Sequence, residues 1–230
     1  MTALTPEPVR IPLTGGQHVS GLLQPASPAR AGYVMAHGAG AGMTHSFLAA
    51  MAEGLAPRGI ASLRYQFLYM EQGSKRPDPP KLAQAAVRAA VLEAGRRLPG
   101  VPLFAGGKSF GGRMTSQAQA AAPLPGVRGL IFLGFPLHPP GKPSTERAQH
   151  LSAVSIPMLF LQGTRDEFAE LALLEPLCAG LGARVTLKLF PDADHSFHVP
   201  ARSGRRDADV RAEIMDTIAG WAGELAGTPA

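Results

Sequence analysis

The sequence predicts an α/β fold: a mostly parallel central sheet with helices on both faces. Three observations carry this expectation. Eight short apolar runs alternate with stretches of helical periodicity along the 230 residues. One of those runs leads into Gly107-Lys108-Ser109-Phe110-Gly111, where small residues allow a sharp strand-to-helix turn. Another runs directly into His37-Gly38-Ala39-Gly40-Ala41-Gly42, a glycine-rich loop. In sheets of this kind the functional loops lie at the carboxyl ends of the strands.

Residues 9–13 and 19–23 read as two strands joined through the turn signal Gly15-Gly16. The GYVMA run at 32–36 is a third strand and ends at the glycine-rich loop. A helix over 46–56 follows, with Phe47, Leu48, Met51 and Leu55 at helical spacing. After a strand at 60–64, residues 65–80 form a loop carrying Lys75 and Arg76, and its prolines delay the next helix until Lys81. That helix is alanine-rich and spans 81–98. The strand at 101–105 then precedes a helix at 110–122. A buried strand at 129–134 is followed by a proline-bearing connection, 135–155, with one short helix near 145–151. The last units are a strand at 157–162, a helix at 168–181, a strand at 184–190 and a helix at 208–225. No repeat or long linker divides the chain, so residues 1–230 are expected to form one domain.

Composition narrows the function classes. The chain is 45% hydrophobic and 17% charged, with a net charge of +5. That balance is globular. Its basic residues are scattered, and the cluster Arg202, Arg205, Arg206 is interrupted by Asp207 and Asp209, so no nucleic-acid partner is expected. No apolar run is long enough to span a bilayer, and residues 1–13 lack the basic lead and apolar core of a signal peptide. A single cysteine, Cys178, suits a reducing, cytoplasmic setting and reads as a buried thiol beside Leu177 and Leu181. Phe132, Phe135, Met158 and Phe160 are expected in the core, and Trp221 against the sheet.

Three reactive side chains emerge from three different strand ends: Ser109, Asp166 in Gly163-Thr164-Arg165-Asp166, and His195 in PDADHSF. A serine hydroxyl is a weak nucleophile near neutral pH and needs a histidine to take its proton. A carboxylate then holds the imidazole in the right tautomer and steadies its cation. Glu167 lies farther from the strand end than Asp166, and His198 farther than His195. The oxyanion that develops needs fixed donors, and the N–H groups of Phe110 and Ala39 are the candidates, with Gly40 as the alternative to Ala39. His37 reads as a brace for the loop. Arg64 and Arg76, at or beyond a strand end, are candidates for binding an anionic acyl substrate. His195 and His198 with Asp192 and Asp194 have no supporting ligand cluster, so neither a metal nor another cofactor is expected. Gly107-Lys108-Ser109 also ends like a phosphate-binding loop, but Pro102 stands where its first glycine is required.

HGAGAG, GGKSFGG, the strand-GTRD segment and PDADHSF together resemble the α/β-hydrolase superfamily. The narrower resemblance is to its small, cap-poor branch of dienelactone-hydrolase-type enzymes, which includes the hydrolase-like domain of a eukaryotic chromatin-complex subunit. It covers the chain from about Tyr33 to the C-terminal helix. The resemblance implies an α/β-hydrolase fold without a large cap, with Ser109 as nucleophile, Asp166 as acid and His195 as base, in the chain order of that superfamily. Dienelactone hydrolases proper use cysteine where this chain has Ser109, so activity on dienelactones is not implied. The expected activity is that of an esterase or related acyl hydrolase on a small-molecule substrate, with no membrane partner. The chromatin relative raises a second possibility, a non-catalytic scaffold.

Overall fold

A computed structural model describes residues 5–227; the first four residues of the N-terminal stretch discussed above lie outside it. Eight strands form one sheet: β1 (Glu7–Pro12), β2 (His18–Gln24), β3 (Ala31–Ala36), β4 (Ile60–Tyr65), β5 (Leu103–Lys108), β6 (Val127–Leu133), β7 (Met158–Gly163) and β8 (Val185–Phe190). Their spatial order is β1-β2-β4-β3-β5-β6-β7-β8. β2 pairs antiparallel with both β1 and β4, and every pairing from β4 to β8 is parallel.

Parallel strands covered on both faces must be apolar on both faces, which is why they read as continuous hydrophobic runs. Leu130 and Phe132 of β6, with Met158 and Phe160 of β7, enter one buried cluster. Ile131, Leu133, Leu159 and Leu161 enter the opposite one. The first cluster is completed by α3 (Pro80–Arg97), α4 (Phe110–Ala121) and α5 (Leu171–Leu181). The second is completed by α1 (Ser46–Leu55) and α6 (Asp207–Gly227). Trp221 packs there, its ring centroid 5.6 Å from that of Phe104. Chain order reverses direction across the sheet between β3 and β5, and a crevice opens at such a point beyond the carboxyl ends of the strands.

Three elements differ from expectation. β5 begins two residues later than 101 and runs to Lys108, because Gly106 and Gly107 are strand residues rather than turn residues. The span 65–80 contains a short helix, α2 (Leu68–Glu71), whose Tyr69 N–H is capped by the Asp78 carboxylate at 3.1 Å. α5 starts at Leu171, because the preceding residues are held in a turn by Asp166. The connection between β6 and β7 holds a 3-10 helix, Glu146–Ala153, which buries Ala148 and Leu151.

Candidate active site

Ser109 sits between β5 and α4 with φ 49° and ψ −114°, a conformation that costs a non-glycine residue energy and persists only when its surroundings enforce it. The neighbouring glycines explain how the turn is made. A Cβ on Gly107 would lie 2.1 Å from the Ala36 carbonyl oxygen, and one on Gly111 would lie 2.6 Å from that of His37. Only glycines let α4 and β5 approach β3 this closely.

His195, in the segment after β8, places Nε2 2.9 Å from Ser109 Oγ and Nδ1 2.7 Å from Asp166 Oδ2. Asp166 has a fully buried side chain, whereas His195 remains 18% exposed toward the cavity. The carboxylate also accepts hydrogen bonds from the Phe168 N–H at 2.8 Å and from Gln162 Nε2 at 2.5 Å. With Asp166 ionised, Nδ1 carries the imidazole proton and Nε2 is left to accept from the serine. Phe168 covers the ring of His195, with centroids 4.3 Å apart. Glu167 is exposed, and His198 is exposed and paired with Asp207 through Nδ1 at 2.9 Å. Among the described residues no group of three or more His, Cys, Asp or Glu side chains could hold a metal ion.

The loop after β3 lies opposite. Neither the Ala39 nor the Phe110 N–H has a hydrogen-bond partner among the described residues. The Gly40 N–H is already engaged, donating to the Tyr69 hydroxyl at 2.9 Å. His37 braces the loop as expected: it accepts from the Phe67 N–H through Nε2 at 3.1 Å, so Nδ1–H donates to the Gly38 carbonyl at 2.7 Å. Burial pushes its pKa down to about 4, which keeps it neutral. Gln66 accepts from the Met43 N–H at 2.8 Å. Tyr69, Gln66 and Gln162 were not singled out from the sequence; each bonds a backbone N–H distant in the chain, that of Phe135 in the case of Gln162, and no local pattern marks that.

A cavity of about 320 Å³ opens over Ser109, with Ala39, Ala41, Phe47, Leu48 and Phe168 in its walls. Arg64 and Arg76 do not line it, contrary to the expectation that they bind substrate. Arg64 is buried in β4, where Nη1 donates to the Met43 carbonyl at 3.3 Å, so the side chain tethers the β3 loop from behind. Arg76 is exposed in the turn before α3, its N–H bonded to Ser74 Oγ at 3.1 Å. One arginine thus turns into the fold, and the other lies out toward solvent.

This chain is similar in structure to several solved proteins. A lidless α/β serine hydrolase from Xanthomonas campestris matches with a TM-score of 0.75 at 20% identity, over 100% of this chain and 99% of that one. A serine hydrolase homologue from Coxiella burnetii matches with a TM-score of 0.76 at 17% identity, over 95% and 100%. A dienelactone hydrolase from Anabaena variabilis matches with a TM-score of 0.73 at 21% identity, over 97% of each chain. A family model described as an alpha/beta hydrolase domain matches residues 29–223. The chain therefore belongs to the alpha/beta hydrolase family, in a form that carries no large cap.

Proposed function

We propose that this protein is a serine hydrolase that cleaves an ester-like acyl substrate by way of an acyl-enzyme. The observation that carries this reading is the continuous hydrogen-bonded chain from Ser109 Oγ through His195 to Asp166, beside a largely apolar cavity lined by Ser109, His195 and Ala39, with the Ala39 and Phe110 N–H groups unpaired among the described residues. Ser109 attacks the substrate carbonyl as His195 Nε2 takes its proton, and Asp166 steadies the resulting imidazolium. The Ala39 and Phe110 N–H groups receive the oxyanion, and the latter also stands at the positive end of α4. The imidazolium then protonates the leaving alcohol. A water, deprotonated by the same imidazole, releases the acyl group and regenerates Ser109. These steps need no cofactor. The apolar walls and small volume favour a short, uncharged acyl group over an anionic one.

A fluorophosphonate probe tests the reading. Labelling confined to Ser109, and lost in Ser109→Ala, is expected. An unlabelled, folded protein favours the scaffold instead.

A further inference from the structure

Lys108 immediately precedes the serine, and its stem forms part of the cavity wall. Its Nζ does not reach the cavity. It is buried and makes no hydrogen bond among the described residues. Its position is defined by Gly134, which follows β6 with φ 70°. Around the point where a Cβ on Gly134 would stand, Lys108 Nζ lies at 3.1 Å, Asp166 Oδ2 at 3.4 Å and His195 Nδ1 at 3.4 Å. A side chain there would fill the space these three atoms share. From the turn after β7 the nitrogen faces Asp166. From the segment after β8 it faces Asp194, His195 and the ring of Phe197, whose centroid is 5.9 Å away. Gly134 stands beside the nitrogen, and Gly38 stands against the lysine stem. Asp194 is already occupied, accepting from the Ser196 and His198 N–H groups through Oδ1.

We propose that Lys108 is a positioning residue for the reaction: its buried amine, grouped with Asp166 and His195 around Gly134, governs how readily the relay takes on the positive charge formed when Ser109 attacks. This rests on the hydrolase reading above. A cation on this side of the relay holds Asp166 as an anion and opposes a second positive charge on the imidazole. The opposition is strong because little water separates the groups. Burial pushes the Lys108 pKa down to about 8, against the pull of Asp166 and Asp194, so the opposing charge is shed within the working range of an esterase. Loss of that proton makes the imidazole a better base, and the rate rises through it.

The test is the pH profile of kcat/KM with a p-nitrophenyl ester for the wild type, Lys108→Met and Lys108→Arg. The wild type is expected to climb in two steps, the upper near pH 8. Lys108→Met keeps the stem and removes the charge. It loses the upper step, and its acid limb moves up by about one pH unit, a roughly tenfold loss at low pH with KM unchanged. Lys108→Arg loses the upper step but keeps the acid limb in place. A Lys108→Met profile of wild-type shape, whatever its height, overturns the proposal. An independent measurement needs no turnover. In protein labelled with carbon-13 at lysine Cε, the Lys108 resonance is expected to titrate near pH 8 and to move to lower pH in Asp166→Asn. A midpoint that does not move overturns the coupling. Absence of fluorophosphonate label at Ser109 would sink the hydrolase reading, and the lysine titration still decides whether Lys108 and Asp166 are coupled.

Discussion

Two serine–histidine pairs lie along one stretch of this chain, and only one has the surroundings of a nucleophile. Ser109 Oγ is 2.9 Å from His195 Nε2, and Ser116 Oγ, farther along α4, is 2.7 Å from His150 Nε2. Ser116 is an ordinary buried helical residue whose hydroxyl donates to the Arg113 carbonyl at 3.0 Å. His150 Nε2–H must then be the donor to Ser116, so this histidine cannot accept the serine proton. Among the described residues no carboxylate pairs with His150; burial and the nearby Arg113 push its pKa down to about 4. At Ser109 the backbone is forced, a carboxylate sets the tautomer, and the residue lines a cavity. Proximity of hydroxyl and imidazole is common to both; the direction of the hydrogen bond separates the proposed nucleophile from the tether.

Replacing each serine gives the sharpest contrast. Ser109→Ala is expected to lower kcat on p-nitrophenyl esters by at least about 10⁴-fold with the fold intact. Ser116→Ala is expected to change kcat/KM by less than about twofold and to cost roughly 1 kcal/mol of stability, read from denaturant midpoints. Comparable losses of activity in the two variants would break the distinction. Tyr69→Phe probes the glycine-rich loop beside the first pair. It releases the Gly40 N–H and loosens the loop holding Ala39, and kcat is expected to fall roughly three- to tenfold, since one supporting hydrogen bond is worth about 1 kcal/mol. Unchanged kcat would detach Tyr69 from the loop's geometry. The smallest effect concerns the tether. His150 is held neutral when folded but takes a proton below pH 6.5 once unfolded, so the unfolded state binds more protons between about pH 6.5 and 4. Stability is therefore lost as pH falls through that window, and buried His37 adds to the loss with the same sign. His150→Gln is expected to flatten part of the decline in melting temperature, and an unchanged slope would remove His150 as a contributor.

Much of this was legible in the chain. The strands from β3 to β7 announce themselves as apolar runs because both faces of the sheet are covered. Ser109, Asp166 and His195 are visible as polar residues directly after such runs, and the structure brings them within hydrogen-bonding distance. The glycines misled at β5. Gly106 and Gly107 look like a turn, yet they lie in the strand, and glycine is needed there because a Cβ at either would run into the backbone of Ile131 or Ala36. Arg64 misled in another way. Its sequence position, one residue before the end of β4, is the same whether the side chain enters a crevice or reaches behind a loop, and only the carbonyl of Met43 decides between them. Tyr69 and Asp78 were illegible for a similar reason: a four-residue helix has too little periodicity to stand out among prolines.

None of residues 134–157, the stretch between β6 and β7, lines the space above Ser109. No segment from that stretch therefore stands over the serine oxygen. If the proposed acyl-enzyme forms there, methanol or glycerol at molar concentration is expected to compete with water for the acyl group, with a product ratio that follows the composition of the medium and not the timing of any closing motion.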